Sequence, residues 1–213
     1  DRKEDREISA ARGAQIPGAV VERVSRSMAD CYPDFDSEKF DNLLQILWLN
    51  NETYVRNSPS ERVARLLWLY QQAINQDGVF FDVEETQGLD GEKEYRVLFA
   101  VGNPPQKDFL LQTMEVFNRL QVSVKRAYCL TISNGIHPYF LGTFYVRTRG
   151  EVAPEKGTEL YDQLQGELYN TQILSTASQA YNELVVNGVT SGAEASLINA
   201  FIGFCHTNLA HNQ

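Results

Sequence analysis

Three carboxylate pairs, Asp34 with Asp36, Glu84 with Glu85 and Glu92 with Glu94, are the first residues whose types suit acid–base work between two flanking acids. Each pair falls in a predicted turn or hairpin, where such pairs are expected to be solvated charge. His137, followed by Pro138, sits beside a predicted hairpin and reads as a turn residue rather than a general base. Cys205, His206 and His211 come closest to a metal-ligand cluster, but histidines five apart point to different sides of a helix, unlike the i, i+4 pair of a zinc helix. Cys31, Cys129 and Cys205 are odd in number and widely spaced, which suggests reduced core thiols rather than a disulfide framework or structural zinc. Arg62 and Arg65 read as the solvated flank of a helix. The sequence has no GxGxxG between strand and helix, no GxxxxGK[ST] cradle, no GxSxG elbow and no HExxH helix. No catalytic residue and no metal site is assigned.

The elements that would position these residues centre on 94–149. EYRVLFAV, residues 94–101, puts Tyr95, Val97, Phe99 and Val101 on one face and Leu98 and Ala100 on the other, so both faces are expected to be mostly buried. Gly102-Asn103-Pro104-Pro105 then supplies a turn, an N-cap and a first helical residue that needs no N–H, which predicts a helix starting there. Phe109, Leu110, Met114, Phe117 and Leu120 form its expected apolar side. From Val122 to Ile132 apolar and polar residues alternate, the period of a strand with one wetter face. Asn134-Gly135 signals a turn into the partner strand over 139–148. A helix against an antiparallel sheet predicts an α+β class, a ferredoxin-like or ACT-like antiparallel sheet with helices on one face, plus N- and C-terminal helical segments.

The flanks read as helices. Pro17 opens one carrying Val20, Val21, Val24 and Met28, which stops before Tyr32-Pro33. Asp36-Ser37 caps a second with Phe40, Leu43, Leu44, Leu47 and Trp48 at helical spacing. Ser58-Pro59-Ser60-Glu61 has the pattern of a capping box ahead of Val63, Leu66, Leu67, Tyr70 and Ile74. Asp77-Gly78 ends that helix and starts a strand over 79–84, predicted to fold back on 94–101 as a hairpin. A ferredoxin-like sheet would place its last strand beside its first. No later strand is evident, so 79–84 is expected to fill that edge. Pro154 is expected to open a helix with Leu160, Leu164 and Leu168, and two more helices are expected beyond it, up to Asn187-Gly188 and from a capping box at Ser191. The expected organisation is an N-terminal helical segment over 1–77, an α+β domain over 78–170 and a C-terminal helical segment over 171–213.

At 213 residues the chain can bury a sizeable core. Its net charge of −9 and pI near 4.9 disfavour nucleic acid or an anionic membrane as partner. No apolar run approaches the roughly 20 residues of a bilayer span, and the charged start DRKEDREISAARG lacks a signal-peptide core. A cytoplasmic protein is the resulting expectation.

The order RVARLLWLYQQA, EYRVLFAVGNPP, LQVSVKRAYCLTISNG with HPYFLGTFYV, and NELVVNGVTSGAEASLINAFIGFCHTNLAHNQ resembles the N-terminal half of the large NAD-specific glutamate dehydrogenases. The final block is especially similar: a leucine-rich helix, Gly-[Leu/Val]-Thr/Ser, Glu, an apolar helix and Gln precede the catalytic region of that family, matched here by Leu184, Gly188, Val189, Thr190, Glu194 and Gln213. The central stretch resembles the family's ACT-type regulatory fold. The resemblance implies that the catalytic residues and the NAD-binding Rossmann domain lie after the point where this chain stops. The chain itself would then be a non-catalytic regulatory or assembly module, with no cofactor of its own and NAD serving the full-length enzyme. Implied partners are the catalytic domain of the same polypeptide, a possible amino-acid effector and further copies in a homo-oligomer. The rivals are a free-standing ACT-like amino-acid-sensing module and a complete enzyme with an unrecognised site. In ACT-like folds an amino acid meets free backbone N–H groups in the loop from first strand to first helix, which here points to Gly102 and Asn103. The competing reading is that Asn103 caps the helix and Gly102 turns the chain.

Overall fold

A computed structural model describes residues 15–76, 78–105, 108–150 and 152–171. Helix α1 is Gly18–Cys31, buried through Val20, Val24 and Met28. A 3-10 turn, Ser37–Lys39, leads into α2, Phe40–Asn50, with the Asp36 carboxylate accepting the Glu38 N–H. Helices α3, Glu52–Asn57, and α4, Ser60–Asn75, complete the N-terminal set. Strands β1, Val79–Gln87, and β2, Lys93–Gly102, precede helix α5, Phe109–Arg119. Strands β3, Val122–Ser133, and β4, Pro138–Thr148, follow, and α6 occupies 159–171. The expected α+β class holds: the four strands form one antiparallel sheet in the order β1-β2-β4-β3. β1 pairs with β2 and occupies the edge that a ferredoxin-like last strand would take.

By contacts the described residues divide into two compact units, and every strand contributes to both. One holds those up to Phe80 with Phe99–Asn103 and Cys129–Leu141, and the other holds Phe81–Leu98, Pro104–Tyr128 and those from Gly142. In the first, α4 lays Trp68 edge-on against Phe80 and Tyr70 against Tyr139, with ring centroids 5.3 and 5.0 Å apart. In the second, α5 sets Phe117 5.0 Å from Phe144, and α6 sets Tyr161 5.1 Å from Phe81. Residues 97–101 of β2 are fully buried, because side chains on both faces of this central strand are covered. β3 keeps Ser123, Lys125, Ala127, Cys129 and Thr131 exposed, the alternation expected of it.

Several local expectations are corrected. The strand over 79–84 runs three residues further, to Gln87, and α3 had no place in the sequence reading. Ser58 does not cap α4. It ends α3, where its N–H bonds the Tyr54 carbonyl, and α4 begins at Ser60 without a side-chain cap bond. The Ser58 and Val55 carbonyls are instead taken by the Arg23 guanidinium at 3.0 and 2.8 Å. The cap that does form belongs to Asn51, whose amide oxygen accepts the Tyr54 N–H at 3.0 Å. No helix starts at Pro104. Asn103 takes a left-handed φ of 51° and bonds the Pro138 carbonyl, so the chain is tied to β4 before it turns, and α5 begins at Phe109. The buried side of α5 is Phe109, Thr113, Val116 and Phe117, which leaves Leu110 at 47% exposure. Pro154 lies in a loop; Thr158 Oγ1 accepts the Tyr161 N–H, and Leu160, Leu164 and Leu168 are buried as expected. The expected elements over 1–13 and 172–213 lie outside the described residues.

Asn51→Ala should therefore cost about 1 kcal/mol in urea denaturation, the usual value of an N-cap, while Ser58→Ala should change stability by less than about 0.5 kcal/mol. Equal losses in the two variants would contradict this placement of the caps.

Candidate functional site

The residues singled out from sequence separate widely. Gly102 is buried at the end of β2, where a Cβ would stand 3.0 Å from the Tyr139 ring and 3.4 Å from the Gly78 Cα. Its N–H bonds the Gly78 carbonyl at 2.6 Å, and the Asn103 N–H bonds the Pro138 carbonyl at 2.8 Å. Pro104 and Pro105 carry no N–H. The backbone donors that an amino-acid carboxylate would need at Gly102 and Asn103 are thus already committed. Gly102 is small because its own chain passes close, not because it turns.

His137 is exposed in the β3–β4 turn, where the Asn134 side chain accepts its N–H and that of Ile136. Cys31 is exposed. The Cys129 residue is also exposed, yet burial of its sulfur pushes the thiol up to about 11, so at neutral pH it is not a nucleophilic thiolate. Cys205, His206 and His211 lie outside the described residues.

The strongest polar arrangement was missed. Glu94, expected to be solvated, is 2% exposed. It lies on β2 with Arg126 of β3 and Arg147 of β4, whose guanidinium nitrogens approach its carboxylate at 3.3 and 3.0 Å. Arg147 also donates to both Asp90 oxygens, at 2.6 and 2.8 Å, which clasps the β1–β2 loop. Gly88 permits this closeness, since a Cβ there would stand 2.6 Å from the Arg147 nitrogen and 2.7 Å from Glu94 Oε1. Beside it Arg96 donates to Glu84 at 2.7 Å and to the Tyr145 hydroxyl at 3.2 Å. The Arg126 guanidinium stacks 4.0 Å from the Tyr145 ring centroid. Three arginines thus meet three carboxylates around one tyrosine, and the cluster is balanced in charge. Glu94 Oε2 and Arg147 Nε are buried without a hydrogen bond, so the pairing is not saturated. Its chemistry is that of a brace across all four strands. A reacting group would have to displace one of its own ion pairs.

The hydrogen bond from Arg147 holds the Asp90 carboxyl below the usual aspartate range, and the Asp90 carboxylate raises the Arg147 guanidinium in turn. A second buried polar group is Tyr70, 1% exposed, whose hydroxyl makes no hydrogen bond. Burial is the main reason its phenol is pushed up to about 12. Nearby Tyr139 adds to the rise, and Asn134, close but outside hydrogen-bond geometry, opposes it. The only signal for the ionic cluster in the sequence was a charged residue at alternate positions of three strands, and strand order was needed to bring them together.

Removing the buried partner should cost more than removing the exposed one. Glu94→Ala is expected to lose about 2–3 kcal/mol, below the usual value for a broken buried pair because both arginines keep water contact, whereas Asp90→Ala, at an exposed partner, should lose clearly less. Asp90 has a depressed folded pKa, so its contribution is present above the ordinary aspartate range and is lost as pH falls through the lowered value. Asp90→Asn should flatten the acid limb of a Tm-against-pH curve accordingly. Tyr70 has a raised folded pKa, so its contribution is complete below about pH 10 and disappears as pH rises towards about 12. Tyr70→Phe should leave stability at pH 7 unchanged or higher and make the alkaline limb shallower, because an unpartnered buried hydroxyl is removed. An alkaline limb identical in the two proteins would rule out this assignment.

No protein-family model, curated protein or solved structure matches this chain.

Proposed function

We propose that the chain is a non-catalytic regulatory or assembly module of a cytoplasmic NAD-dependent glutamate dehydrogenase. The full-length enzyme would oxidatively deaminate L-glutamate to 2-oxoglutarate, with NAD held by a catalytic domain of the same polypeptide. The observation that best supports this reading is the sheet order β1-β2-β4-β3, with α5 between β2 and β3. That is the arrangement of an ACT-like fold whose missing last strand is replaced by a preceding one. Three of the four resembling blocks fall on α4, on β2 with its loop, and on the β3–β4 hairpin. A brace of arginines and carboxylates paired with one another also suits a module with a structural part in a larger enzyme. Among the described residues no helix is long and apolar enough to cross a membrane.

Effector sensing is the weaker half of the proposal, because the Gly102 and Asn103 donors are committed to carbonyls of the chain. Assembly is the stronger half.

The test is NADH formation from NAD and L-glutamate, followed by absorbance. The 213-residue chain should produce none above a heat-killed blank, and the product of the complete reading frame should produce it at a rate proportional to enzyme. A complete product without glutamate-dependent NAD reduction would defeat the proposal, as would turnover by the isolated chain. Saturable heat with an amino acid, in a complete product lacking dehydrogenase activity, would point instead to a free-standing sensing module.

A further inference from the structure

β3 is an edge of the sheet, and among the described residues no strand pairs with its outer side. At 12 residues it is long for an edge, and VSVKRAYCLTIS contains neither proline nor glycine. Protected edges are usually short, bulged or interrupted by proline, since an unpaired row of N–H and C=O groups is a template for another chain. The opposite edge, β1, is protected differently: Asp82, Glu84 and Glu85 would bring like charges together if two copies paired there.

The parity of β3 is fixed by its turn. The Asn134 N–H bonds the His137 carbonyl, so in the β3–β4 ladder the even-numbered residues of β3 face β4 and the odd-numbered ones turn their backbone groups outward. Those outward residues are Ser123, Lys125, Ala127, Cys129 and Thr131, and all five are exposed.

We propose that β3 pairs antiparallel with β3 of a second copy of this chain about a two-fold axis through Ala127, giving a dimer with a continuous sheet. With this centre the outward residues bond in pairs: Ala127 with Ala127, Lys125 with Cys129 and Ser123 with Thr131. About ten backbone hydrogen bonds form. On this face the side chains are small apart from Lys125, and the open edge ends at Thr131, because the Asn50 side chain of α2 takes the Ser133 N–H and C=O at 2.9 Å each. On the other face Val124 meets Leu130 and Arg126 meets Tyr128 of the second copy, each pair occurring twice, while Val122 and Ile132 at the ends are already buried within their own chain. Apolar residues meet apolar ones and a cation meets an aromatic ring. The nearest alternatives are worse. A centre at Arg126 would oppose two guanidiniums, and a centre at Tyr128 would set Arg126 against Leu130. Ala127 also lies near the middle of the strand, so almost its full length is paired. The proposal rests on the sheet edge alone and stands whether or not the dehydrogenase reading does.

Sedimentation equilibrium of the purified chain should give a concentration-dependent mass tending to twice 24.1 kDa. Ala127→Pro removes an N–H that points away from β4, so it should abolish the dimer and leave the circular dichroism of the monomer unchanged. If that variant fails to fold, Ser123→Lys with Thr131→Lys, which places like charges opposite each other twice, is expected to do the same. A monomeric wild-type chain at the highest soluble concentration would overturn the proposal. So would a dimer that persists in a folded Ala127→Pro or double-lysine variant. Neither result bears on NAD reduction by the full-length product.

Discussion

The structure depends on covering β2 on both of its faces. Residues 97–101 lose all contact with water, and no single layer of helices can do that to a strand. In one unit α4 packs Trp68 on Phe80 of β1 and Tyr70 on Tyr139 of β4; in the other α5 packs Phe117 on Phe144 of β4 and α6 packs Tyr161 on Phe81 of β1. Apolar burial on that scale is the main favourable term in the fold. It also imposes a cost at the strand's start, where Glu94 must follow its neighbours out of water.

A buried carboxylate is tolerable only when it is paired. The sheet order provides the partners, since β4 lies next to β2 and β3 next to β4, which brings Arg147 and Arg126 to the same place. Asp90 then extends the network to the β1–β2 loop, and Gly88 leaves room for it. These pairs hold the hairpin in register more than they add net stability, because two of the three arginines remain partly hydrated. Arg126 serves two roles. It anchors Glu94 from beneath while resting on Tyr145, and it stands on the strand whose outer edge is open.

Around the sheet, several polar groups among the described residues are bonded within the chain itself. The backbone donors at Gly102 and Asn103 are spent on Gly78 and Pro138, and the guanidiniums of Arg96 and Arg147 on carboxylates of the same chain. Such an arrangement favours rigidity at these positions. That is the physical ground for placing assembly ahead of effector sensing. The unpaired backbone of β3 is where that contact is proposed.

The sequence by itself determined the class of each major element, because hydrophobic period is a local property. The 3.6-residue spacing of Phe40, Leu43, Leu44, Leu47 and Trp48 and the strict alternation from Val122 to Ile132 were both realised, and so was the hairpin between β1 and β2. Local rules failed where a distant group fixed the backbone of the expected capping residue. Ser58 lost its capping role where Arg23, 35 residues away, takes its carbonyl, and Asn103 lost its own to Pro138. The burial of Glu94 was beyond any local rule. Its carboxylate reads as solvated beside Glu92, and only the adjacency of β2, β4 and β3 supplies the two arginines that allow it indoors. Which groups face one another across a sheet is set by strand order, and strand order is decided by burial of the whole chain rather than by any window of it.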